Sequence, residues 1–156
     1  MNKLLILTSF ATVLASHAHA EITVKDPWVR ATVAQQKATG AFMRINTTVD
    51  TRLVKARSPV AGIVEIHEMK MENDIMRMRA VTGVDLPAGR SVDLKPGGYH
   101  VMLLDLKQQM KEGELVPVSL VFEGRDKKRE TIEVKAQVRS LSGTSTKKDA
   151  HEGHKH

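Results

Sequence analysis

From Glu21 onward, apolar and β-branched residues recur at alternate positions in short runs, and each run is closed by Gly, Pro, Asn or Asp. Alternation of this kind places every second side chain on one face of a strand, whereas a helix needs a 3.6-residue period sustained over ten or more positions. Strands are therefore expected over residues 28–33, 41–48, 63–71, 75–81, 91–94, 99–104, 115–122 and 131–138. Turns fit between them at Asn73-Asp74, Pro87-Ala88-Gly89, Pro96-Gly97-Gly98 and Glu123-Gly124-Arg125-Asp126, whose residue types tolerate the backbone angles of a reversal. Many short strands at this spacing specify an all-β fold, an antiparallel β-sandwich or barrel. No internal repeat, phosphate-binding loop or dinucleotide-binding glycine pattern interrupts them.

The first twenty residues follow a different rule. Met1-Asn2-Lys3 is a short positive start, residues 4–15 are an apolar run, and Ala18-His19-Ala20 is a small-x-small cleavage signal. A membrane-spanning helix needs about 20 apolar residues, so residues 1–20 are read as a signal peptide cleaved after Ala20, which directs the chain to the periplasm. Residues 21–140 then form one domain, and residues 141–156 a tail. The tail begins with the linker-like Ser142-Gly143-Thr144-Ser145-Thr146-Lys147-Lys148 and ends His-rich, a composition expected to be disordered without a ligand.

The formal charge of +6 becomes +5 when the leader leaves, because Lys3 is its one charged side chain. That balance does not indicate nucleic acid: basic residues are interspersed with acids, and only Trp28, Phe42, Phe122 and Tyr99 remain to stack on bases. The chain has no cysteine. In an oxidising compartment free thiols are poor permanent ligands, so soft-metal chemistry here must use methionine.

Of the seven histidines, His17 and His19 belong to the leader and His151, His154 and His156 to the tail, which leaves His67 and His100 in the domain. Both stand among methionines. Residues two apart on a strand share a face, so His100 and Met102 project together, about 6.6 Å apart along the strand. The same period aligns His67 with Met69 and Met71, and Met76 with Met78. If Asn73-Asp74 is a two-residue hairpin loop, residues whose numbers sum to 147 lie opposite one another, so Met69 faces Met78 and His67 is its diagonal neighbour. Glu65 and Glu68 flank His67, and Glu68 is out of phase with it. Thioether sulfur suits Cu(I) and imidazole binds copper in either oxidation state, whereas zinc favours Cys, His or carboxylate and calcium or magnesium favour oxygen. Met43 and Met110 are assigned to core packing.

The spacing reads His67, ten residues, Met78, twenty-one residues, then His100-Val101-Met102. It resembles the motif of the periplasmic copper chaperones of the PCu(A)C type. The segments Val64-Glu65-Ile66-His67-Glu68-Met69, Leu94-Lys95-Pro96-Gly97-Gly98-Tyr99-His100-Val101-Met102 and Asp26-Pro27-Trp28-Val29-Arg30-Ala31 are also similar to that family. The resemblance implies a cupredoxin-like β-sandwich holding one Cu(I) through His67, Met78, His100 and Met102. It further implies delivery toward the dinuclear copper site of a cytochrome c oxidase subunit, sometimes alongside a thiol-bearing copper chaperone. Members with His-rich extensions bind additional copper, so His151, His154 and His156 are expected to form a weaker Cu(II) site.

Two other readings use the same residues: copper sequestration or resistance with the same ligands, and a metal-free structural sandwich in which the methionines only pack. An electron-transfer cupredoxin would need a cysteine thiolate. An enzyme is not expected, since no nucleophile stands with a matching base and four protein ligands on Cu(I) leave no open position for substrate.

Overall fold

The computed structural model describes residues 21–140, so the expected signal peptide, residues 1–20, and the tail histidines His151, His154 and His156 lie outside the described residues. Among the described residues ten strands carry the fold. They are β1 (Ile22–Arg30), β2 (Ala38–Thr47), β3 (Thr51–Arg57), β4 (Ala61–Glu72), β5 (Ile75–Ala80), β6 (Val84–Leu86), β7 (Ser91–Leu94), β8 (Tyr99–Leu106), β9 (Leu115–Gly124) and β10 (Arg129–Arg139). Among the described residues no helix is long and apolar enough to cross a membrane.

The strands hydrogen-bond in the order β5-β4-β8-β2-β1-β10-β9-β3-β6, with β7 paired to the outer half of β2. This ladder folds over into a β-sandwich with one core, in which Ile66, Val101 and Leu103 from one half meet Leu53, Val118 and Leu120 from the other. Met43 and Met110 are buried within it. Burying each such large apolar side chain contributes about 1.5–3 kcal/mol, which fixes the register wherever one face is apolar. All neighbouring pairs are antiparallel except β1 with β10, which run parallel through Trp28↔Gln137, Val29↔Val138 and Arg30↔Arg139.

Three stretches depart from the sequence expectation, each for a local reason. β1 stops at Arg30, short of Val33, and begins as early as Ile22 because a bulge between Lys25 and Trp28 absorbs Asp26-Pro27 and lets pairing with β2 continue on both sides. β3 escapes a period-two reading because its partner register shifts between Leu53 and Lys55, and three of its seven residues are basic. β6 has only three residues, held by the buried side chains of Val84 and Leu86.

Alternation gives the half β5-β4-β8-β2-β1 two unlike faces. Inward go Ile66 of β4, Val101 and Leu103 of β8, Ala41, Met43 and Ile45 of β2, and Val29 of β1. The residues between them, His67, His100, Met102, Gly40, Phe42 and Trp28, consequently stand on the outer face.

Candidate metal centre

The outer face of β4, β5 and β8 collects both domain histidines and their methionine neighbours. Asn73 and Asp74 both adopt positive φ, 50° and 61°, the conformation of a two-residue type I′ hairpin loop. The loop fixes the β4–β5 register as Met69↔Met78, Met71↔Met76 and His67↔Ala80, the pairing expected from the sequence. On its other side β4 pairs with β8 through His67↔His100 and Glu65↔Met102. Directly opposed residues hold their Cβ atoms about 4.5–5.5 Å apart and diagonal ones about 7–8 Å. Met78 and Met102 are both diagonal to His67, one on each flanking strand, and Met102 is two residues from His100. The four residues singled out in the sequence thus occupy one patch of one sheet face.

The two rings lie 5.8 Å apart between centroids, with their planes inclined by 65°. Hydrogen bonding fixes the tautomer of each. Nε2 of His67 lies 2.7 Å from Oε2 of Glu65, and a carboxylate only accepts, so Nε2 carries the proton. Nδ1 of the neutral ring is left with its lone pair, buried and without a hydrogen-bond partner among the described residues. In His100 the arrangement is reversed: Nδ1 lies 3.0 Å from the Gly98 carbonyl oxygen and donates to it, which leaves Nε2 unprotonated in the neutral ring. Burial pushes the His100 imidazole below its ordinary pKa of 6.5, reinforced by the nearby His67 and Arg30 and opposed by the Gly98 hydrogen bond. Each histidine therefore keeps one nitrogen available as a donor and anchors the other, the arrangement in which protein partners orient a metal-ligating imidazole.

An aromatic wall closes one side. Phe42 is buried outside the core cluster, its ring 6.1 Å from that of His100 and 4.5 Å from that of Trp28. The Arg30 guanidinium lies 5.6 Å from the Phe42 ring centre and that of Arg139 5.8 Å from Trp28. Gly40, opposite Met102, makes room for this packing: a Cβ there would stand 2.6 Å from Cζ of Phe42. On the other side the patch opens to solvent, with Met78 48% exposed on the edge strand β5.

Oxygen donors are nearly absent from this face. Glu68 and Glu72 belong to the reverse face of the hairpin, where they pair with Arg77 and Arg79. Glu65 is in contact with the patch but engaged with His67. Among the described residues no group of three or more His, Cys, Asp or Glu could hold a metal ion. Two imidazole nitrogens beside thioethers form a soft donor set, unsuited to calcium or magnesium and poor for structural zinc. A cleft of about 700 Å3 lined in part by Asp50, Phe122, Arg125 and Glu130 lies elsewhere and includes none of these residues.

The sequence does not assign the roles of Glu65, Gly98 and Phe42. Glu65 carried a usable signal, its two-residue offset from His67. The Gly98 carbonyl and Phe42 come to His100 through backbone turning and β2–β8 pairing, which leave no local mark.

Comparison with known proteins places the same region among relatives. Residues 22–138 match the family described as "Putative lipoprotein LpqE-like". "Putative lipoprotein Lxx21020" of Leifsonia xyli subsp. xyli is 33% identical over 127 residues, spanning 80% of this chain and 73% of that protein. Among solved structures, the apo PCuAC domain from PmoF1 is similar at 25% identity with a TM-score of 0.63, covering 78% of this chain and 99% of that one. The solution structure of Cu(I)-DR1885 from Deinococcus radiodurans is similar at 27% identity with a TM-score of 0.55, covering 80% and 83%. The fold is the cupredoxin-like sandwich of the PCuAC domains.

Proposed function

This chain belongs to the LpqE-like family, and we propose that it is an exported copper chaperone, not an enzyme, that holds Cu(I) through His67, Met78, His100 and Met102 and hands it to another protein. The observation that carries this reading is the pair of opposed histidines, each with one nitrogen anchored, by Glu65 or Gly98, and the other unprotonated in the neutral ring on a face shared with thioethers. The likeness to a Cu(I)-bound protein supports the choice of metal.

The residues divide the work. His67 Nδ1 and His100 Nε2 supply nitrogen donors whose orientation is set before the metal arrives, so little ordering cost is left for binding. Met78 and Met102 supply uncharged sulfur, which favours Cu(I) over Cu(II). Phe42 and Trp28 shield the His100 side from water. The exposure of Met78 supports delivery over storage, because a ligand at an open edge can be displaced by an incoming donor without unfolding the site. The recipient we propose is a cytochrome c oxidase subunit or a thiol-bearing copper chaperone, met in the periplasm after removal of the leader. That location is supported by the leader pattern and by relatives described as lipoproteins.

A Cu(I) competition titration tests the ligand set. Met102→Leu preserves volume and costs under about 1.5 kcal/mol of stability, so the variant should fold normally and bind Cu(I) far more weakly. Wild-type affinity in that variant would remove Met102 from the site. Transfer from the loaded protein to a purified oxidase subunit separates delivery from sequestration.

A further inference from the structure

The β4–β5 hairpin extends its methionine face beyond the centre described above. Met69 and Met71 follow His67 along β4, and Met76 stands directly opposite Met71 on β5. Packing does not account for the outer two: Met71 is 58% and Met76 43% exposed, and neither belongs to the core, while Met69 is half-buried. They also lie where the sheet ends, since β5 has no further neighbour among the described residues. An exposed strand of ordinary sequence would place polar or charged side chains at these positions. This hairpin does so only on its other face, where Glu68, Glu72, Arg77 and Arg79 are tied to one another in ion pairs.

We infer that Met69, Met71 and Met76 form a second soft-metal site at the outer end of this hairpin, one that takes a monovalent thiophilic cation such as Cu(I) before it reaches the histidine–methionine centre. Met71 and Met76 are a directly opposed pair, and Met69 is two residues from Met71 and diagonal to Met76. Three unbranched side chains with three rotatable bonds each can turn their sulfurs onto one ion from those positions. With Glu68 and Glu72 held on the opposite face, the strand positions of the site offer sulfur rather than charged oxygen, which disfavours hard divalent ions. Lacking imidazole and pre-set geometry, it binds more weakly than the inner centre. Met78, opposite Met69 and diagonal to His67, continues the same face inward, so an ion passes from one set of ligands to the other by exchanging sulfur donors, with no change of oxidation state. This site goes beyond the inner centre and does not require it to be filled.

The test is an anaerobic titration of the full chain, labelled with 13C at the methionine methyl groups, with Cu(I). The methyl signals of Met78 and Met102 should move over the first equivalent, and those of Met71 and Met76 over the second. A Met71→Leu/Met76→Leu variant should keep the first event and lose the second. The inference is overturned if the Met71 and Met76 signals stay in place through several equivalents, as they would if the patch served only as a protein contact, or if the double variant binds as much Cu(I) as wild type. Failure of the inner centre is read separately, as unmoved Met78 and Met102 signals.

Discussion

His67 and His100 stand directly opposite each other on β4 and β8, and they are held by opposite ring nitrogens, Nε2 of His67 by Glu65 and Nδ1 of His100 by Gly98. The two anchors have different strengths as handles for experiment. A side chain can be replaced, whereas a backbone carbonyl cannot.

Glu65 is therefore the residue through which the orientation of His67 can be tested. Removing its carboxylate in Glu65→Ala frees Nε2 and lets the proton move to Nδ1, the nitrogen assigned to the metal. Partners of this kind are typically worth about 10–100-fold in metal affinity, and that loss is expected in a Cu(I) competition titration. Nitrogen NMR of the apo-protein should show the His67 tautomer shifting at the same time. Glu65→Gln, whose amide oxygen still accepts a hydrogen bond, should restore most of the affinity. Unchanged affinity in Glu65→Ala would mean that Glu65 does not orient a ligand.

His100 gives a pH dependence whose sign follows from its burial. Its folded-state pKa lies below the ordinary 6.5, so the unfolded chain binds a proton more readily than the folded one. The contribution to stability is full above pH 6.5 and is lost as the pH falls below that value toward the folded pKa. NMR titration of the apo-protein should give a His100 midpoint under 6.5. Denaturation of wild type should show a decline in this window that His100→Gln lacks; a midpoint above 6.5 would contradict the burial account.

Gly40 predicts a stability effect that reaches the site. The Cβ of Gly40→Ala would overlap the end of the Phe42 ring, 2.6 Å away, and that ring is already packed against Trp28 and beside His100. Overpacking of this sort costs about 1–3 kcal/mol. Chemical denaturation should show that loss, and the Trp28 fluorescence of the folded protein should change as the ring moves. A variant indistinguishable from wild type in both would show that the wall is loosely packed.

The hairpin was legible because everything that determines it is local. Asn73-Asp74 sets the turn, the turn sets the register, and the register places Met69 opposite Met78. The joining of His67 to His100 was not, since β4 and β8 are brought together by burial of Ile66, Val101 and Leu103 rather than by the chain between them. The resemblance in spacing supplied what local reasoning lacked. β3 and β6 stayed hidden for a related reason: a bulge or a length of three residues erases the alternation on which a strand is recognised. Glu65 is a different case: it stands beside His67 in the sequence and in phase with it, but only the geometry shows its carboxylate on Nε2.

X-ray absorption of the protein loaded with one equivalent of Cu(I) tests the central claim most directly, because nitrogen and sulfur neighbours of copper scatter distinguishably. The account predicts a first shell containing both, two nitrogens from His67 and His100 and two sulfurs from Met78 and Met102, with the sulfur contribution falling by half in either Met78→Leu or Met102→Leu. A shell of nitrogen and oxygen alone, unchanged by those substitutions, would contradict it.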